Sequence, residues 1–294
     1  MRRRVLYLVM FTTVLTLLVG CGGGSGGSSD GGSGTLSVSV TDAKPVIPGD
    51  PTELWIAFEE IRAHKSGGGW VTLPLPQTPL WINLLAFQEG ATTHLVPPVR
   101  LDSGQYTQLR FEVSRAYMVI DGKPAVEIGL DVPSGFLRID KNFTFDVPSG
   151  EAVDLTVDFD LSQSIVVTGS SDYKLKPVLH LVETQRAATI HGEIEADAFG
   201  DPAEEAVVTV IWDKNGNGSV DPYPNDEEYT KVIVKKANPS QPTEFSIFWL
   251  VPDEDYIVRI DVGEDDAVEH EEEVPSSELQ PGEVFELNGG AAIE

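Results

Sequence analysis

Three features of the sequence predict an all-β protein made of two β-sandwich domains behind an N-terminal export segment. Apolar and polar residues alternate with period 2, as in Leu36-Ser37-Val38-Ser39-Val40 and Leu155-Thr156-Val157-Asp158-Phe159, which turns one face of each strand inward. Turn-forming clusters punctuate the chain at Pro48-Gly49-Asp50, Ser66 to Gly69, Asp121-Gly122, Pro133-Ser134-Gly135 and Pro148-Ser149-Gly150. Beyond Thr35 no apolar stripe of helical spacing is found, although Leu54 to Ile61 and Ile82 to Phe87 could each hold a helical turn. Short strands with regular punctuation read as a sandwich or barrel.

The first element, residues 1–20, begins with Met1-Arg2-Arg3-Arg4 and continues in an apolar run from Val5 to Val19. A basic start, a short apolar core and small residues at its end are the parts of a secretory signal. The run falls short of the ~20 residues that span a bilayer. Its end, Leu18-Val19-Gly20-Cys21, resembles a lipobox. The resemblance implies cleavage before Cys21, diacylglycerol on its sulfur and acylation of the new amine. Two or more acyl chains give durable anchoring where one gives only marginal binding. Cys21 is the sole cysteine, so no intramolecular disulfide or thiolate metal site can form. Gly22, not Asp, follows it; in a host with two membranes, lipoprotein rules then favour the outer one.

Residues 21–34 are almost wholly Gly and Ser and read as a flexible tether. The first sandwich is expected at 35–183. The second is expected at 188–294, beyond a boundary near Thr184-Gln185-Arg186-Ala187, where the charge changes abruptly. The chain carries −27, or about −30 without the signal arginines, and residues 188–294 hold 27 acidic against 5 basic residues. Such a field repels phosphate backbones, which argues against nucleic acid as a partner, and it suits cations or plain solubility.

Within the first domain the ordered pieces Val38-Ser39-Val40-Thr41-Asp42-Ala43, Gly67-Gly68-Gly69-Trp70-Val71, Gly104-Gln105-Tyr106-Thr107-Gln108-Leu109-Arg110, Val132-Pro133-Ser134-Gly135, Asp158-Phe159-Asp160 and Tyr173-Lys174-Leu175-Lys176-Pro177 resemble a bacterial lipoprotein family known as domain of unknown function 4382. The resemblance implies a secreted β domain after a lipobox, with no established activity. Read physically, Gly104 supplies a turn and Tyr106 is a corner residue whose hydroxyl caps a backbone group. Asp158 and Asp160 share one strand face, as a solvated edge or, less commonly, a cation or acid–base site. In the second domain Phe245-Ser246-Ile247, Leu250-Val251-Pro252 and Tyr256-Ile257-Val258-Arg259-Ile260 resemble a transthyretin-like, carboxypeptidase-regulatory sandwich. Glu254 stands where that family usually has Gly, and the resemblance implies binding, spacing or stability, not catalysis.

One loop is chemically distinct. After Trp212 the chain reads Asp213-Lys214-Asn215-Gly216-Asn217-Gly218-Ser219-Val220-Asp221. Oxygen-bearing side chains at positions 1, 3 and 5, with Gly at 6, form the front half of a calcium loop; the loops of surface-protein B-type repeats are similar. Ser219 would add its carbonyl, and Asp221 a carboxylate or a water bridge. Position 12 is Pro224 in place of a bidentate Glu, so Asp226, Glu227 or Glu228 could close the site only if the 222–225 stretch bulges. A hairpin turn without an ion is the alternative.

No Gly-x-Ser-x-Gly elbow, His-Glu-x-x-His helix or phosphate-binding loop occurs. His191, Glu193 and Glu195 alternate along one strand and read as a polar outer face before a metal site; Glu269 to Glu273 reads as a solvated acidic run. Trp55, Trp81, Trp212 and Trp249 read as core. Trp70, beside a Gly-rich loop tip, is the candidate ligand-binding aromatic, able to stack on a sugar or a partner. The sequence thus points to a non-enzymatic, lipid-anchored module of the cell envelope, facing outside the cytoplasm. It would bind, adhere or scaffold, with a protein or polysaccharide as ligand and calcium as a stabilising ion. A carbohydrate-capture lipoprotein serving uptake is the second reading, and an envelope hydrolase the third.

Overall fold

The computed structural model describes residues 32–43, 51–120, 126–129, 136–139, 144–167, 173–199, 204–263 and 268–293. The signal segment, Cys21 and most of the tether lie outside them. Ser33 and Gly34, read above as tether, already belong to the first strand. Gly34 is required there: a Cβ at this position would lie 2.4 Å from the Pro148 carbonyl oxygen.

The first domain runs β1 (Ser33–Ala43), β2 (Pro51–Lys65), β3 (Trp70–Leu73), β4 (Leu80–Asn83), β5 (Thr93–Asp102), β6 (Gly104–Ile120), β7 (Val126–Gly129), β8 (Phe136–Ile139), β9 (Phe145–Val147) and β10 (Ala152–Asp160). One helical turn, α1 (Leu161–Ser164), leads to β11 (Ile165–Val167), β12 (Tyr173–Leu175) and β13 (Val178–Glu183). One sheet has the order β13-β10-β1-β5, with β1 parallel to β10. The other is built on the long β2–β6 pair. The two inner faces meet in a core that includes Leu36, Val38 and Val40 of β1, Leu155, Val157 and Phe159 of β10, and Leu54, Ile56 and Phe58 of β2. Register shifts around Phe58 let Ile61 and Ala63 re-enter that core, as bulges do. Residues 54–61 are therefore strand throughout, and 82–87 holds a 3-10 turn at Leu84–Ala86.

The second domain comprises β14 (Ala188–Ile194), β15 (Glu205–Asp213), β16 (Asp226–Lys235), β17 (Thr243–Leu250), β18 (Tyr256–Val262), β19 (His270–Val274) and β20 (Val284–Glu286). A three-stranded sheet, β17-β14-β20, faces a four-stranded one, β16-β15-β18-β19. Ile190, Ile194, Val208, Val210, Phe245, Ile247, Val258 and Ile260 fill the second core, each worth about 1.5–3 kcal/mol on burial. Both domains carry the same corner device. Tyr106 Oη donates to the Asp102 carbonyl at 2.9 Å, and Tyr256 Oη donates to the Val251 carbonyl at 3.0 Å.

The two cores are distinct, yet Gly31–Glu294 is one compact unit. They meet at a polar joint. Gln163 Nε2 donates to the carbonyls of Glu228 and Tyr229, both at 3.0 Å, and His180 Nε2 donates to the Tyr229 carbonyl at 2.9 Å. The His180 and Tyr229 rings stack with centroids 3.9 Å apart, and Tyr229 meets Tyr256 edge-on.

Candidate functional site

The predicted calcium loop forms the tip of the β15–β16 hairpin. Asp213 ends β15, Asp226 begins β16, and the two are cross-strand partners. Asp213, buried, receives the Gly216 N–H on one oxygen and the Gly218 N–H on the other, each at 2.8 Å. Asn215 Oδ1 accepts the Asn217 N–H at 3.0 Å, and Asn217 Oδ1 accepts the Ser219 N–H at 2.8 Å. The amide groups of Asn215 and Asn217 converge on Asp221 Oδ2, at 2.9 and 2.8 Å. Gly216 and Gly218 both have positive φ, and a Cβ on Gly218 would sit 2.6 Å from Glu273 Oε2. The turn residues are thus placed as the spacing predicts, with further acidic groups leaning over them.

Of the three downstream candidates, the hairpin turns Asp226 inward. Residues 222–225 form a turn, with the Asn225 N–H bonded to the Pro222 carbonyl. Glu227 is exposed and pairs with Lys214, while Glu228 pairs with Lys231. Asp226 is 4% exposed, and its Oδ2 accepts the Asp221 N–H at 2.5 Å. Its Oδ1 is buried without a hydrogen-bond partner. Among the described residues no three His, Cys, Asp or Glu side chains converge as a metal cage; the loop is closed by amide and main-chain N–H donors.

Trp70 opens β3 and is 36% exposed. The Arg110 guanidinium stands 4.8 Å from its ring centroid and that of Arg62 5.9 Å, while His64 meets it edge-on. Cations thus occupy ring surface that stacking on a sugar would use. The four tryptophans read as core are half-buried instead. Trp55 and Trp212 send their indole N–H to the carboxylates of Glu53 and Glu254, at 2.6 and 3.0 Å, the amphipathic compromise usual for this side chain.

The Asp158 and Asp160 face, read above as a solvated edge, is buried. Ser37, Thr41, Thr156, Asp158 and Asp160 are each at most 5% exposed. Asp160 caps α1 and accepts from Ser162 and Gln163. Burial, reinforced by the Asp160 charge, pushes the Asp158 carboxyl up to about 8. Burial lowers His180 below its ordinary value, with Asp160 opposing the shift. The Tyr229 phenol is raised by burial and by its acidic neighbours. Sequence reasoning missed this joint, because an alternating polar face gives no sign that a later domain covers it. His191 is bonded to Ser246 at 3.1 Å.

Residues 33–177 match the family model described as domain of unknown function (DUF4382). A search of the curated proteins found no match. Among solved structures, the chain is similar to the Bacillus anthracis TIE protein, at 12% identity and TM-score 0.21, covering 86% of this chain and 33% of that one. It spans only about a third of that protein's length. It is also similar to the fimbrial anchor protein Mfa2 from Porphyromonas gingivalis, at 8% identity and TM-score 0.20, covering 81% and 82% of the two chains. Likenesses at these scores carry no functional argument.

Proposed function

We propose that the chain is a non-enzymatic module of the cell envelope. Lipid on Cys21 tethers it, its joined sandwiches serve adhesion or scaffolding, and calcium braces the 213–226 hairpin. The observation that carries the calcium brace is Asp226 Oδ1, a buried carboxylate oxygen with no donor, beside a loop of alternating Asp and Asn. An unpaired buried charge is costly unless a cation or donor meets it. With the ion in place, Asp213, Asn215, Asn217, Asp221, the Ser219 carbonyl and Asp226 would supply the six or more oxygens calcium prefers. Dissociation constants of extracellular calcium modules lie at about 10⁻⁴–10⁻³ M, so such a brace would be set outside the cytoplasm.

The test is the melting midpoint of the full chain in millimolar CaCl₂ against a chelator. Ion at ten times its dissociation constant stabilises the folded state by about 1.4 kcal/mol, a rise of a few degrees. Asp226→Asn, which keeps the shape and removes the charge, abolishes the rise. No rise in the wild type, or an equal rise in Asp226→Asn, overturns the calcium brace.

A further inference from the structure

A cleft of about 760 Å³ opens between the sandwiches, within the ~300–1,000 Å³ common for small-ligand sites. One wall comes from the first domain: Thr41 and Asp42 at the end of β1, the 88–90 loop, and Asp158 of β10. The other is formed by β16 and β17, which are the edge strands of the second domain's two sheets.

Two atoms in this lining are unusual. Thr230 Oγ1 and Trp249 Nε1 are buried and have no hydrogen-bond partner in the protein, and Thr230 is 2% exposed. Native proteins pair nearly all such atoms, so two in one cavity call for a partner from outside. Glu89 and Trp249, both in the lining, also adopt positive φ, at 56° and 65°, a conformation non-glycine residues rarely take.

The chemistry of these groups narrows the ligand. An indole N–H only donates, so the ligand must offer an acceptor; the carboxyls of Glu89 and Glu244 accept, so it must also offer donors. A metal cation cannot accept from Trp249, and an anion would meet the carboxylates of Glu89 and Glu244, while the lining's Lys235 is already paired with Glu205. A hydroxyl group serves both demands. Asp158, pushed up to about 8, keeps its proton at neutral pH and adds no charge of its own to that wall. Phe248 and Trp249 add ring surface for the apolar faces of a sugar.

We propose that the cleft binds a neutral polyhydroxylated ligand, a short saccharide, with Trp249 Nε1 donating to a ligand hydroxyl and Thr230 Oγ1 bonding its neighbour. The site needs neither the calcium brace nor the lipid tether.

The experiment is isothermal titration of the full chain, in a detergent without a sugar headgroup. The probes are neutral di- and trisaccharides of glucose, galactose and N-acetylglucosamine, with a neutral tripeptide and spermidine as controls. At least one saccharide binds; Thr230→Val weakens it by roughly three- to tenfold, the loss of one hydrogen bond, and Trp249→Phe weakens it by at least as much, since ring surface goes with the donor. Thr230→Val keeps its shape and removes an unpaired polar atom, so its melting midpoint equals or exceeds the wild type's, whereas Trp249→Phe also gives up one ring and lowers it. Saturable quenching of tryptophan emission by the same saccharide gives the wild-type reading without a variant. The proposal is overturned if no saccharide binds, if both variants bind as the wild type does, or if only the tripeptide or spermidine binds.

Discussion

Replacing Asp158 with Asn should make the protein more stable at neutral pH, and by an amount that depends on pH in a defined way. Asp158 lies in β10 opposite His180 of β13, with Asp160 two residues on and Tyr229 across the joint. Burial first, and the Asp160 charge second, move its carboxyl from 3.8 to about 8 in the folded chain. The folded state therefore holds a proton that the unfolded chain has shed, across the window from about pH 4 to pH 8. Where the folded state binds more protons, stability falls as pH rises. The group's contribution is intact below the unfolded value, declines through the window and reaches its floor above pH 8. At about 1.4 kcal/mol per pH unit, the loss by pH 7 is roughly 4 kcal/mol. Asn cannot ionise, so Asp158→Asn recovers most of that at pH 7 and almost nothing at pH 4. Urea unfolding of both proteins at several pH values checks this, because titrating groups distant from Asp158 contribute alike and cancel in the difference. Two parallel curves of stability against pH would refute the reasoning and mean that Asp158 is solvated in the folded state.

Two further perturbations bear on the corners and the tether. Tyr106→Phe and Tyr256→Phe each strip the hydroxyl from a buried ring and leave a carbonyl without its donor, at Asp102 and Val251. Each should lower unfolding free energy by about 1–2 kcal/mol, and near-equal effects in the two domains, measured by urea midpoint, would show that the corners are equivalent. Cys21→Ser should move the protein from the membrane fraction to the soluble fraction and abolish incorporation of labelled fatty acid; a variant that stays membrane-bound refutes the lipid anchor.

The strands were legible because alternation is a local property. Leu36, Val38 and Val40 point into the core as period 2 requires, and so do Leu155, Val157 and Phe159. Their partnership was not: β1 pairs in parallel with β10, more than a hundred residues on, and nothing in either strand names the other. Tyr106 was legible as a corner, since a glycine turn before an aromatic in a strand has few other uses. Asp158 was misread for a physical reason. The outer face of a sheet is normally polar because it meets water, and sequence alone cannot distinguish water from a second domain that offers hydrogen bonds. The hairpin loop was legible from its spacing, but the closing carboxylate was not, because the path of 222–225 decides which of three adjacent acids turns inward. Thr230 and Trp249 were invisible as a pair, coming from two edge strands that meet only in the fold.

The polar character of the joint has a consequence for the cleft. Two apolar faces can slide over one another at small cost, since dispersion and burial are non-directional. A joint made from Gln163 and His180 on the carbonyls of Glu228 and Tyr229 has no such freedom, because a displacement of about an ångström leaves buried donors unpaired. Such groups hold one arrangement of the domains where an apolar seam would tolerate several, the specificity that buried polar groups confer in some systems. Thr230 follows Tyr229 directly in β16, so the bonds that fix the joint also fix one wall of the cleft against the other. The misread polar face of the first sheet thus sets the spacing of a polar-lined cavity of ligand size.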